Sequence, residues 1–445
     1  MTGELFAPIF ASDEILAATG DAAWLQAILG AESALAGALG DCGLIPGGDA
    51  DTIADACRAD YFDIAALGRA ARSSANPVIP LVETLRAAVP GRLAAQVHRG
   101  ATSQDILDSA TVLVARRAGA RIDVDLARLA DSCATLARAH RGTLMVGRTL
   151  LQHALPVTFG LKAAGWMIGV DDARTQLAIA LAGLTAQLGG PVGTLASLGA
   201  QGPAVGGAFA RRLGLPEPVL PWHTARQRIT AAAGALGTVV GTAAKISGDV
   251  ALLMQTEVAE AAEPEPGGSS AMPHKRNPAS AAAVIASARR AHALLPVLFA
   301  ALLADHERPA GAWHAEWEPW GELLALAGGA VARTAEVITG LQIDPAAMAA
   351  NLAWSGGTLL SERVVVAATD AGTDHRRVVD AVTRAAGRAR AAPGGVFATE
   401  LSAEPVIAAA LDLDEIESLL DPAGYLGATD LWIDRALAAH EARTP

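Results

Sequence analysis

Aromatic side chains are scarce in this chain: 4% of 445 residues, against a hydrophobic content of 52%. A chain so apolar has ample surface to bury and is not disordered. One so poor in Phe, Trp and Tyr is also a poor match to an aromatic-rich sandwich or barrel. Alanine supplies much of the apolar content and is the best helix former. Helices packed closely through small side chains are therefore expected. Lysine is nearly missing, occurring only at Lys162, Lys245 and Lys275, a bias that follows mostly from base composition. Cysteine is limited to Cys42, Cys57 and Cys133, far apart and without a CxxC pair. That excludes a disulfide framework or a cysteine zinc site and fits a reduced, cytoplasmic compartment. Positive charge is in deficit, with 34 basic against 46 acidic residues and a net charge of -12. Nucleic acid is thus not an expected partner, because such binding needs Lys and Arg facing phosphates. Any anionic ligand must be held by a local site.

Signal-peptide and membrane signatures are also lacking. The opening residues carry acids where a signal peptide needs a basic segment. Residues 175–210 hold no charge, but Gln, Gly and Pro interrupt them, including Gly189-Gly190-Pro191. A helix followed by a loop is expected there, with no membrane partner.

Helical periodicity dominates what is present. Between Pro221 and Pro264, apolar or small residues recur at Ile229, Ala232, Leu236, Val239, Ala243, Ile246, Val250 and Leu253. Steps of three and four make the seam of a bundle helix. Residues 110–140, 157–188 and 279–304 read as similar long helices, the last kinked at Pro296. Shorter helices are expected before 105 and after 345, the latter broken by the Pro/Gly stretch at 392–395. No strand alternation of useful length is found. The layout predicts three segments: an N-terminal helical domain (1–105), a central long-helix bundle (106–345) and a C-terminal helical domain (346–445).

Three polar clusters interrupt the apolar chain. Residues 98–105 (HRGATSQD) precede a long helix. Thr102, Ser103 and Asp105 are good helix caps, yet capping does not explain so many adjacent hydrogen-bonding groups. Helix-start N–H groups plus hydroxyls make a natural carboxylate cradle. Residues 147–156 (GRTLLQHALP) hold Arg148, Thr149, Gln152 and His153 in what reads as a loop before a helix. Residues 267–278 (GGSSAMPHKRNP) pair a flexible glycine end with a proline-stiffened end, a pattern suited to a loop that closes on a ligand. Within it Lys275, one of three lysines, can meet developing negative charge.

GSSAMPHKRNP resembles the signature loop of the fumarase/aspartase superfamily, and GATSQD and GRTLLQHALPVTFG resemble its two other motif regions in the same order. The resemblance spans most of the chain. It implies an all-α, three-domain fold with a central long-helix bundle, assembled as a homotetramer whose active sites are shared between subunits. It further implies removal or return of a proton beside a carboxylate, through an aci-carboxylate intermediate and with no cofactor or metal. By resemblance, Ser269 is the proton-transfer residue, activated by Lys275 and loop N–H groups, and His153 is a further catalytic candidate. His98, Thr102, Ser103, Gln104, Arg148, Gln152, Asn277 and Arg308 are the implied substrate-binding residues.

Two departures separate branches of the superfamily. Many members have His directly after Gly-Arg-Thr, paired with a Glu just beyond the loop; here those positions are Leu150 and the region of Ala282. Such a pair serves a poor leaving group. A carboxylate, with a pKa of about 4, needs none. HER at 306–308 and WHAEW at 313–317 resemble the 3-carboxy-cis,cis-muconate cycloisomerase branch, as do GTLASLG at 193–199 and DPAGYLG at 421–427. That implies lactonisation of a small tricarboxylate in protocatechuate/β-ketoadipate catabolism. Arg99, Leu150 and the segment 73–77 depart from that branch. The alternatives are an adenylosuccinate lyase-like β-elimination, disfavoured by the missing His/Glu pair, and a non-catalytic scaffold, disfavoured by the intact loop.

Overall fold

The computed structural model describes residues 5–391 and 396–443. It is 69% helical, as the alanine content predicts. Among the described residues, six helices exceed twenty residues: α1 (Asp21–Asp41), α2 (Ser103–Ala139), α3 (Phe159–Ala182), α4 (Gln227–Leu253), α5 (Ala279–Ala300) and α6 (Trp317–Thr339). At 1.5 Å per residue, the 37 residues of α2 make a rod of roughly 55 Å. Every residue of the anticipated seam on α4, from Ile229 to Leu253, is buried. The helix α5 runs on past Pro296 before ending in a short 3₁₀ turn at Ala301–Leu303.

The chain divides into two compact units. The first comprises 1–127, 172–247 and 282–335; the second comprises 128–171, 248–281 and 336–445. In the first unit, α1 is longer than the short helices anticipated before residue 105. It is buried on most of its circumference because Ala, Leu and Gly fill it. A Cβ at Gly37 would stand 2.4 Å from Arg212 Nη1, so glycine leaves room there for the Arg212 guanidinium, which reaches from the helix Gly202–Leu213 to Asp41.

In the second unit the expectation of no strands fails. An antiparallel hairpin joins β1 (Leu144–Thr149) to β2 (Gln152–Thr158), with a register shift between Val146 and Arg148. Gly147 and Pro156 mask its alternation, and a two-stranded ribbon tolerates the proline at its edge. Its two-residue turn, Leu150-Leu151, has φ of 52° and 63°. Turns of that kind favour Asn-Gly, and each leucine costs about 1–2 kcal/mol in the left-handed region. Both side chains are exposed, Leu150 by 96%. A second short pair, Ala261–Ala262 with Gln342–Ile343, completes the strands of the described residues. Beyond residue 360, a separate cluster around Val364, Val378, Phe397, Leu401 and Ile416 forms the core of the C-terminal helices. The Pro/Gly stretch at 392–395 lies outside the described residues.

Among the described residues, three helical stretches are long and apolar enough to cross a membrane by length and composition alone. Asp13–Asp41 and Gln227–Leu253 are 72% and 61% buried inside the protein, whereas Ala279–Leu303 is only 28% buried. Core packing accounts for the first two; the third leaves Val297, Phe299, Leu302 and Leu303 exposed.

Replacing Leu236, fully buried on the α4 seam, by Ala is expected to cost about 2–5 kcal/mol. The measurement is the urea midpoint, and an unchanged midpoint would contradict a packed seam.

Candidate active site

In the first unit, the start of α2 is organised by one carboxylate. Asp105 has no exposed surface. Its Oδ1 accepts from the N–H of Gly189 (2.9 Å), from Gln187 Nε2 (3.1 Å) and pairs with His223 Nε2 (2.6 Å); its Oδ2 accepts from the N–H groups of Thr102 and Gly190 (2.9 Å each). A carboxylate so buried persists only when its lone pairs are satisfied. Here the donors come from both the 98–105 segment and the glycine-rich loop after α3, so the two are locked together.

Gln104 stands beside it, fully buried. Its Nε2 donates to His223 O (2.8 Å) and its Oε1 accepts from Arg308 Nε (2.9 Å). The amide is therefore committed within the chain, and it fixes the direction of Arg308, which also donates to Pro191 O (3.2 Å). Ser103 Oγ accepts from Asn76 Nδ2 (2.9 Å). His98 Nδ1 lies 2.5 Å from Glu32 Oε1. Arg99 donates to Leu44 O and Gln96 Oε1.

Behind this group Arg226 is buried between two carboxylates, donating to Asp108 (2.8 and 3.2 Å) and to Glu316 (3.1 and 2.5 Å). Trp313 Nε1 adds a donor to Asp108 (3.1 Å). Two acids share one cation, so one charge is uncompensated. Burial pushes the Glu316 carboxyl up, the Arg226 charge and hydrogen bonds pull it back, Asp108 opposes them, and the result is about 6.

The second unit holds the other candidates. Arg148, on β1, makes a bidentate pair with the buried Glu260 (2.7 and 2.8 Å), whose Oε1 also accepts from Asn351 Nδ2 (2.8 Å). The Arg148 guanidinium thus braces the hairpin. Two positions along from the turn, His153 packs edge-on against Trp354 (5.6 Å between ring centres). Its pKa is lowered, first by burial and then by the Arg148 charge, with Glu260 opposing. Gln152 is exposed.

The loop 267–278 is closed at its neck. Gly267 and Asn277 exchange backbone hydrogen bonds (2.8 and 2.9 Å), and Asn277 Nδ2 donates to Gly268 O (2.9 Å). A Cβ on Gly267 would be 2.6 Å from that of Ala279, so glycine is required there. One side of the neck is anchored by Glu263, with no exposed surface, which accepts from the N–H groups of Ser280 (3.2 Å) and Ala281 (2.8 Å) at the start of α5. Within the loop, Ser269 Oγ accepts from the N–H groups of Ala271 (3.3 Å) and Met272 (3.1 Å). Two N–H donors aimed at a serine oxygen stabilise it as an oxyanion. Lys275 is exposed on the same loop.

The candidates thus fall into two groups: His98, Thr102, Ser103, Gln104 and Arg308 in the first unit, and Arg148, Gln152, His153, Ser269, Lys275 and Asn277 in the second. Sequence reasoning missed the buried acids that hold them, Glu32, Glu260 and Glu263. The available signal for Glu32 was an acid in the middle of an Ala/Leu helix face.

Residues 11–292 match a family model described as lyase, and residues 357–436 match one described as the adenylosuccinate lyase C-terminus. The nitrosuccinate lyase of Streptomyces davaonensis is 44% identical, covering 99% of this chain and 96% of its own. The 3-carboxy-cis,cis-muconate cycloisomerase of Bradyrhizobium diazoefficiens is 43% identical, covering 98% of each. The crystal structure of the 3-carboxy-cis,cis-muconate lactonizing enzyme from Pseudomonas putida superposes with a TM-score of 0.93 at 38% identity, covering both chains fully.

The Glu316 carboxyl gives a pH signature. From pH 4.5 to about 6, the unfolded chain releases this proton while the folded one keeps it. Stability from this group is therefore full below that window and falls as pH rises through it, by about 2 kcal/mol in all. Glu316→Gln, with Arg226 still paired to Asp108, should remove that downward component from a plot of denaturation midpoint against pH. Identical slopes in the two proteins would refute it.

Proposed function

This chain belongs to the fumarase/aspartase superfamily of lyases, and we propose that it is a cofactor-free cycloisomerase converting 3-carboxy-cis,cis-muconate to 4-carboxymuconolactone in protocatechuate/β-ketoadipate catabolism. The observation that carries the reading is Ser269 Oγ held by two backbone N–H donors in a neck-closed loop with Lys275. One substrate carboxylate adds through oxygen across the double bond. The electron pair displaced from the alkene moves toward a neighbouring carboxylate as an aci-carboxylate, and Ser269 delivers a proton to carbon. The serine alkoxide left behind is stabilised by the Ala271 and Met272 N–H groups and by the Lys275 ammonium, and it regains its proton from solvent.

Thr102, Ser103 and His98 would hold one carboxylate, and Lys275 and Asn277 another. Arg308, directed by Gln104, would meet the third. Gln104 and Arg148, both committed inside the chain, serve in this scheme as braces. His153, lowered in pKa and partly exposed, would contact substrate as a neutral imidazole, with Gln152 beside it.

The absence of His at 150 and of Glu near 282 supports a leaving group that is stable as an anion. A second reading shares that property and is favoured by the 44% identity to a nitrosuccinate lyase: β-elimination of nitrite, whose conjugate acid is comparable in strength to a carboxylic acid.

The assembly proposed is a homotetramer with active sites shared between subunits, in the cytoplasm, the division 1–105, 106–345 and 346–445 describing its parts. The exposed apolar face at the end of α5 supports association with further copies.

The test is loss of muconate absorbance on adding purified protein, with nitrosuccinate and adenylosuccinate as parallel substrates. Lactone formation supports the cycloisomerase; nitrite release without lactone selects the second reading. Ser269→Ala should abolish turnover and leave the oligomer unchanged in size-exclusion light scattering. Arg308→Gln should raise KM for the tricarboxylate about 10- to 100-fold, the loss of one charged hydrogen bond. An active Ser269→Ala variant would refute the proton donor.

A further inference from the structure

Three histidines in this protein are paired with buried carboxylates, and they differ in what the carboxylate demands. His440 is held at both ring nitrogens, by Asp171 and Asp131. His223 faces Asp105, which already has four other donors. His98 faces Glu32, whose side chain is 1% exposed and for which His98 is the hydrogen-bond partner among the described residues. A buried carboxylate without other donors is costly unless a cation sits against it. The nearby Cys57 thiol, kept protonated by burial and by the Glu32 charge, gives its hydrogen to Ile53 O (3.3 Å) instead.

His98 Nδ1 is thus occupied by Glu32, and Nε2 has no partner among the described residues. The His98 side chain is 15% exposed, far more than its acid. The backbone is unusual as well. His98 has a φ of 63°, and Gly100 follows at 86°. A left-handed non-glycine residue is strained by about 1–3 kcal/mol and persists where its surroundings over-determine it. This strain lies at the head of the segment carrying Thr102 and Ser103.

We infer that Glu32 is a positioning residue that holds His98 as an imidazolium, with Nε2 free to bind a carboxylate of the substrate. The inference rests on the reading of 98–105 as a carboxylate cradle and goes beyond it by assigning the cradle's charge to a buried acid on α1. The charged groups facing His98 agree with this. Burial alone would lower its pKa, but the Glu32 charge and hydrogen bond, helped by Asp105 and opposed by Arg86, raise it above the usual 6.5. The imidazolium, and with it the anion affinity, is present at low pH and lost as pH rises through that raised value.

The experiment measures binding of tricarballylate, a non-reacting tricarboxylate, by calorimetry from about pH 6 to about pH 9. Wild-type affinity should weaken across a single break above 6.5. In Glu32→Gln, which keeps the shape and removes the charge, the break should move down by about one unit or more, and affinity near neutral pH should fall about 3- to 10-fold. His98→Gln should remove the break altogether, and it serves the same purpose where Glu32→Gln is not recovered folded. Wild-type binding that is absent or flat with pH, or a break that survives either substitution unmoved, overturns the inference. The readout needs no turnover. Failure to lactonise muconate with the break intact therefore strikes the reaction assignment alone.

Discussion

The organising constraint of the first unit is that a carboxylate out of reach of water must be given donors. Asp105 collects two from glycine N–H groups, one from its own loop, one from Gln187 and one from His223. Those donors come from segments far apart in sequence, so meeting the need of one side chain fixes their relative positions. Gln104 is the next residue back, and its place is then determined. With Nε2 tied to His223 O, its carbonyl is left to steer Arg308. Deleting the carboxylate would leave several buried donors unmatched, which is more damaging than losing a surface ion pair.

The second unit uses the same device twice. Glu260 fixes Arg148 and Asn351, and Glu263 caps the N-terminus of α5, where helix-start N–H groups are without intrahelical partners. Both acids are buried, and both grip rigid elements. Between these anchors the loop itself is, among the described residues, fastened at its neck through Gly267 and Asn277. The result is a firm base under residues that stay accessible, Ser269 and Lys275 among them. In the proposed reaction Ser269 must approach carbon and would need such a base, because small displacements are costly in rate.

Much of the fold was legible because it follows from local periodicity. The α4 seam repeats every three or four residues and is buried throughout. What escaped were features created by tertiary pairing. The 144–158 hairpin carries Gly147 and Pro156, which hide its alternation, and its turn uses two leucines where the favoured residues are Asn and Gly. The candidate residues were visible as polar clusters, but their division of labour was not. Arg148 and Gln104 look like ligands in sequence; only the positions of Glu260 and His223 show that their polar groups are already engaged. Glu32 is an extreme case, since an isolated acid in an apolar helix marks a buried charge but does not say what it holds until its partner, 66 residues away, is in place.

That two similar chains carry the names of different reactions becomes intelligible at the leaving group. A lactone ring closes by attack of a carboxylate and opens by its departure. A nitro group departs as nitrite. In each case the departing atom is an oxyanion, or leaves as a stable anion, and no acid is required to meet it. The site can then dispense with a proton donor at position 150, and an apolar leucine there is compatible with either chemistry. The distinction must come from the number of carboxylates to be matched. Three charges on a substrate require a third cation, and Arg308 is the guanidinium that Gln104 holds out with one nitrogen uncommitted among the described residues. In a chain with a net charge of -12, long-range attraction cannot assist a trianion. Under the proposed function, that discrimination would rest on contacts made by Arg308, by His98 and by the loop lysine at position 275.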